Sequence, residues 1–140
     1  KIPHRWEFRH DHIGYNYRMP NINAALGCAQ LENLDRYVAD KRETAARYAE
    51  FFKGKEDITF FTEPADCKSN YWLNAVVLKD KAAQLDFLEY TNDHGVMTRP
   101  VWELMNRLPM FEHCETDGLE NTEWLADRVV NIPSSVRLDK

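Results

Sequence analysis

Apolar residues recur every three or four positions from Ile22 to Phe52, and this run constrains the fold more than any other feature of the chain. Ile22, Ala25, Leu26, Ala29, Leu34, Tyr37, Val38, Ala45, Tyr48, Phe51 and Phe52 keep the spacing of an amphipathic helix. Asn21, after Pro20, is a good N-cap residue, and Gly54 is a stop signal. The pattern predicts one helix from Asn21 to about Phe52. At ~1.5 Å per residue it would be nearly ~50 Å long, enough to bridge two units. Gly27 in its interior weakens the helix unless another element packs closely there. The small-residue run from Ala24 to Ala29 offers a face for such packing, and Cys28 reads as a small core residue.

Beyond Gly54 the elements shorten. Ile58 to Thr62 and Tyr71 to Leu78 read as strands. Asp80 caps a helix from Lys81 to about His94, closed by Gly95. Val96 to Arg99 reads as a strand cut by Pro100, and Val101 to Glu115 as a loop. A short helix from Leu119 to Arg128 and a strand from Val129 to Ile132, stopped by Pro133, complete the order. This is an α+β pattern: a long N-terminal helix plus a small, mainly antiparallel sheet with helices on one face. It divides into a loop (1–20), a connecting helix (21–53) and a small α+β domain (54–140).

With 44% hydrophobic and 29% charged residues among 140, the composition is that of an ordinary globular protein. A net charge of −5 argues against nucleic acid as a partner. No apolar run approaches a membrane span and no signal-peptide pattern is present. Cys28, Cys67 and Cys114 are odd in number and dispersed, which suits free thiols in the cytoplasm. His10 and His12 would share a strand face but lack a third ligand, so no metal is expected. The chain opens on Lys1 within a charged, aromatic segment and reads as part of something longer.

Tyr15, Asn16, Tyr17 and Arg18 precede the helix start directly. They set phenols, an amide and a guanidinium at one place, the groups that hold a phosphate or a sugar. The alternative is half-buried aromatics beside a solvated arginine. Arg99, where a strand ends, is either a second anion-binding group or half of a surface salt bridge. No catalytic set is complete. The glycines form no phosphate loop, and Ser134 and Ser135 sit in no nucleophile elbow.

The run from Ile13 to Tyr48 resembles the DegT/DnrJ/StrS family of sugar-nucleotide aminotransferases. It carries Gly14-Tyr15-Asn16-Tyr17-Arg18-Met19, then Ala24-Ala25, Gly27 and Ala29-Gln30-Leu31, in the family's GYNYRM and AA-x-G-x-AQL pattern. Val96 to Pro100, Leu104 to Phe111 and Asn131 to Ser134 resemble later family segments. The flavour of Pro3 to Phe8 and Thr98 to Phe111 is that of the legionaminic-acid and bacillosamine pathways.

The resemblance implies the C-terminal, small domain of a fold-type I enzyme that uses pyridoxal phosphate (PLP). It implies amination at C4 of a UDP-linked 4-keto-6-deoxy-N-acetylhexosamine, with glutamate as donor and a homodimer as the assembly. The lysine that anchors PLP would lie upstream, since none of Lys1, Lys41, Lys53, Lys55, Lys68, Lys79, Lys81 and Lys140 matches its context. No catalytic residue is then expected in this chain. By the same resemblance Asn16 binds the phosphate of the PLP in the partner subunit, and Arg18, Tyr15, Tyr17, Arg99 and Asn106 face substrate. Asn106 stands where the family usually has a histidine and cannot titrate as one. The alternatives are an inert or regulatory relative, or a sugar dehydratase.

Overall fold

The computed structural model describes residues 3–137; Lys1 and Lys140 lie outside them. Four helices and four strands follow one another: α1 (Asn21–Leu31), α2 (Leu34–Phe52), β1 (Ile58–Phe60), β2 (Asn74–Leu78), α3 (Lys81–Asp93), β3 (Arg99–Pro100), α4 (Glu120–Ala126) and β4 (Val129–Ile132). A single 3₁₀ turn (Met105–Arg107) precedes α4. The strands form one sheet in the order β1-β2-β4-β3, antiparallel at every pairing.

The expected single helix is two. At the junction Asn33 leaves helical geometry, with φ −108° and ψ 3°. Its side-chain Nδ2 donates to the Ala29 carbonyl at 3.2 Å, an alternative to the helical ladder that asparagine readily takes. The two segments have different surroundings. α2 presents Ala45, Tyr48, Ala49 and Phe52 to the core, whereas α1 buries nothing. Cys28 is therefore exposed, not the core residue expected from its helical position. Nothing lies within 4 Å of where a Cβ on Gly27 would stand, so among the described residues no element packs closely at Gly27.

Period-two alternation sorts the sheet into two faces. Val76 pairs with Val130, and Phe60 with Val76. These residues join Leu78, Ile132, Ala45 of α2 and Leu88 of α3 in one buried cluster. Both long helices of the body thus cover the same face. Asp80 caps α3 as its composition predicts, its carboxylate accepting from the Ala83 N–H at 2.8 Å. Buried Gln84 of α3 donates through Nε2 to the carbonyls of Ala126 and Val129, both at 2.9 Å, fixing the end of α4 against the start of β4. Asn74 is an exception to polar satisfaction: its carboxamide is buried and has no partner among the described residues.

Pro100 does not cut the third strand; it is part of β3. β3 is an edge strand, where a residue without an N–H is tolerated. No helix among the described residues is long and apolar enough to cross a membrane.

Candidate functional site

The segment before α1 has no helix or strand from residue 10 to residue 20, yet it is not shapeless. Asn16 Oδ1 accepts the Arg18 backbone N–H at 2.8 Å, closing an Asx turn. Arg18 takes φ +70°, a left-handed conformation uncommon outside glycine. Asn16 thus spends its acceptor on the turn and keeps its Nδ2 donors free among the described residues. Tyr15 and Tyr17 are 82% and 89% exposed, which removes the half-buried reading. The donors and rings of Tyr15–Arg18 face solvent with α1 beside them.

Arg99 is placed by the residue before it. Thr98 is buried, with its Oγ1 2.6 Å from Thr91 Oγ1 and accepting from Asn92 Nδ2 at 3.0 Å. This pins the strand to the C-terminal end of α3. Alternation then turns Arg99 to the opposite face, level with Asn131. Its guanidinium lies 4.6 Å from the centre of the Phe8 ring, in a cation–π contact, and donates to Met97 Sδ at 3.2 Å. Its surroundings are aromatic and apolar, and it forms no ion pair among the described residues; the salt-bridge alternative is not adopted.

Arg99 borders a groove of about 580 Å³ whose walls include Phe8, Lys41, Met97, Trp72 and Trp102. The two tryptophan rings stack with centroids 6.4 Å apart and planes 27° from parallel. Lys41 Nζ donates to the carbonyls of Ser134 at 2.6 Å and Trp72 at 3.4 Å. Of the groove's walls, only Arg99 stands out in the sequence as a site candidate. The available signal was the pair of tryptophans flanking β2 and β3, but their meeting depends on tertiary folding.

One ion pair sets the approach to Trp72. Arg42 of α2 grips Glu63 with both guanidinium nitrogens and donates to the Ser69 carbonyl at 2.6 Å. Glu63 also accepts the Ser69 N–H, while its own N–H donates to the Tyr71 hydroxyl at 3.1 Å. The Arg42 guanidinium, followed by the Ser69 N–H, holds the Glu63 carboxyl down at about 2. This bidentate pair ties the loop between β1 and β2 to α2.

Asn106 is elsewhere. It sits on the 3₁₀ turn, on the wall of a separate cleft with Phe111, Cys114 and Leu119. Among the described residues no hydrogen bond or ring contact joins Tyr15–Arg18 to Arg99 or to Asn106. The structure therefore divides the expected site residues among an exposed loop, a groove and a cleft. No group of three or more His, Cys, Asp or Glu side chains is placed to hold a metal ion among the described residues.

Comparison with known proteins gives this arrangement a context. Over 130 residues the chain is 32% identical to GDP-perosamine synthase of Escherichia coli O157:H7, covering 91% of this chain and 34% of that protein. It thus spans about a third of the length of this relative. The sugar aminotransferase CalS13 from Micromonospora echinospora superposes with a TM-score of 0.72 at 26% identity, over 91% of this chain and 33% of that one. Helicobacter pylori PseC, an aminotransferase involved in the biosynthesis of pseudoaminic acid, shares the fold with a TM-score of 0.78 at 20% identity. That superposition covers 99% of this chain and 38% of PseC. With residues 3–140 matched to the family as a whole, the chain belongs to the DegT/DnrJ/EryC1/StrS aminotransferase family.

Proposed function

We propose that this chain forms the C-terminal part of a PLP-dependent aminotransferase acting on a nucleotide-linked keto-deoxysugar. The finer reading is amination at C4 of a UDP-4-keto-6-deoxy-N-acetylhexosamine, with glutamate as amino donor, in bacterial surface-polysaccharide or glycan biosynthesis. The enzyme would work in the cytoplasm as a homodimer.

The observation that carries this reading is the Asx turn of the family's loop. Asn16 folds the loop with its oxygen and leaves its amide nitrogen to donate. Arg18 adds a guanidinium without a carboxylate partner among the described residues. An amide donor beside a guanidinium fits a phosphate group, so the residues present fit PLP. In this reading Asn16 binds the cofactor phosphate of the partner subunit. Arg18, Tyr15 and Tyr17 meet the substrate beside it, and Arg99 and Asn106 contact substrate from the body. When bound, PLP supplies the electron sink for chemistry at the amino-bearing carbon. The lysine that anchors it is proposed to lie outside these residues. Exposed Tyr15, Tyr17, Met19, Ile22 and Leu26 form the kind of apolar surface that a partner subunit covers.

The test is incubation of the full-length gene product with PLP, glutamate and the UDP-4-keto sugar, with the product followed by mass spectrometry. Replacement of the keto oxygen by an amine, with 2-oxoglutarate released in equal amount, is the expected result. Loss of a hydroxyl without gain of nitrogen would identify a dehydratase instead.

A further inference from the structure

We infer that Phe8 is the positioning residue of Arg99: its ring holds the guanidinium at the groove without an ion pair, so that Arg99 meets the sugar-nucleotide substrate in a preset place. The Arg99 guanidinium carbon lies 4.6 Å from the centre of the Phe8 ring. Among the described residues its hydrogen-bond acceptor is Met97 Sδ, at 3.2 Å, and a thioether sulfur is a weak acceptor. A carboxylate in the place of the ring would oppose the charge and occupy two donors. A ring attracts the cation through its quadrupole and takes no N–H. The guanidinium is thus held while its donors are left for a ligand. An arginine without such support loses rotamer freedom when it binds; one already lying on a ring has less to lose.

Both partners are tied to the last turn of α3. On the Arg99 side, Thr98 is held by Thr91 and Asn92. On the Phe8 side, Arg5 pairs with Asp93, the final residue of α3. The Arg5 guanidinium also lies 5.3 Å from the centre of the Trp6 ring, and Trp6 packs against the core cluster. His4 Nδ1 accepts the Glu7 N–H at 3.1 Å, closing the turn that leads to Phe8. Three consecutive residues of one helix therefore fix both sides of the contact, and the strap from His4 to Phe8 reaches the edge strand β3 already anchored. Phe8 is half-buried there and lines the groove with Arg99. A ring that only filled space could be replaced by any apolar side chain of similar size. A ring that holds a cation could not, and this difference makes the role testable. The inference rests on the proposed function for the substrate that Arg99 meets, and on the geometry for what holds Arg99.

Steady-state kinetics of the full-length gene product with glutamate and the UDP-4-keto sugar test it. Phe8→Leu keeps apolar volume and removes the π face. It should raise KM for the sugar about three- to tenfold, the loss of one cation–π contact. The kcat should stay unchanged, as should the glutamate half-reaction followed by visible absorbance. Phe8→Tyr, which keeps the face, should restore KM. Arg99→Gln should raise KM by itself, and adding Phe8→Leu to it should raise KM no further, because both act through one group. Urea midpoints confirm that each variant is folded, and Phe8→Met replaces Phe8→Leu if that variant is not. An unchanged KM in Phe8→Leu, an equal loss in Phe8→Tyr, a slowed glutamate half-reaction or an additive double variant each overturns the role of Phe8. A second readout needs no substrate. In nuclear magnetic resonance spectra the Phe8 ring should shift the side-chain protons of Arg99, and Phe8→Leu should abolish that shift while Phe8→Tyr keeps it. The two readings fail separately. Protein that aminates the sugar with a KM indifferent to Phe8→Leu loses only the positioning role. Protein that aminates nothing, yet shows Arg99 resonances shifted by Phe8, loses the aminotransferase reading while Phe8 still holds Arg99.

Discussion

Asn16 shows how one side chain can fold a loop and leave a binding group exposed. Asn16→Asp keeps the acceptor for the Arg18 N–H but places a negative charge where the proposed phosphate donor stood. Asn16→Ala loses both turn and donor but adds no repulsion. PLP affinity of the full-length gene product, measured by absorbance titration, should fall at least about tenfold in Asn16→Asp, and by no less than in Asn16→Ala. Equal affinity in Asn16→Asp and the unaltered protein would remove Asn16 from the cofactor site. Glu63 gives a prediction in pH. Its carboxyl is lowered from an ordinary 4.5 to about 2, so the Arg42 pair contributes stability fully above the ordinary value. That contribution drains away as pH falls from 4.5 toward about 2. Glu63→Gln should therefore cost stability near neutral pH and little at about pH 2, read as the gap between urea midpoints. At this scale the sequence singled out Asn16 and Arg18 through their chemistry and their motif. It could not reveal the Asx turn or the Glu63–Arg42 pair, because both depend on where the chain goes next.

Among the elements, the body was readable and the junctions were not. The Asp80 cap and the valine-rich β2 and β4 follow directly from local preference. The break at Asn33 does not, because the apolar spacing continues across it and only a side-chain hydrogen bond ends α1. Pro100 misled in the opposite direction, since an edge strand accepts a residue that an interior strand rejects. Thr98 carries the consequence for the groove. Thr98→Val removes a buried hydroxyl and its two bonds to Thr91 and Asn92, while Thr91 keeps the Phe87 carbonyl and Asn92 the carbonyls of Leu88 and residue 98. It should cost about 1–3 kcal/mol by urea unfolding. Gly27 tests what covers α1. On an uncovered helix Gly27→Ala should add about 0.5–1 kcal/mol. Where a partner subunit packs on this face it should instead weaken the dimer. Analytical ultracentrifugation of the full-length variant reads this directly: a raised dissociation constant is expected, and an unchanged or tighter dimer would place the interface elsewhere.

As a whole, the chain pairs a well-buried sheet-and-helix body with an apolar, uncovered N-terminal arm. Core residues Val76, Leu88 and Val130 are at or below 1% exposure, while Ile22, Leu26 and Leu31 are above 60%. Burying a side chain of this size is worth roughly 1.5–3 kcal/mol, so the arm represents binding energy that the body does not use. That contrast is what an element shaped for a neighbouring surface looks like, and it agrees with a loop whose donors face outward. The fold class was legible because period-two and helical patterns both survive in the body. The separation of loop, groove and cleft was not, because spacing along the chain says little about distance across it.

In the proposed function the donors on Asn16 and Arg18 serve a PLP-dependent amino transfer. The visible absorbance of the full-length gene product with PLP, recorded before and after L-glutamate alone, tests it most directly. A visible band from bound cofactor that bleaches with glutamate, and bleaches far less after Asn16→Asp, is the predicted result. A band that glutamate leaves unchanged, or no band at all, would contradict it.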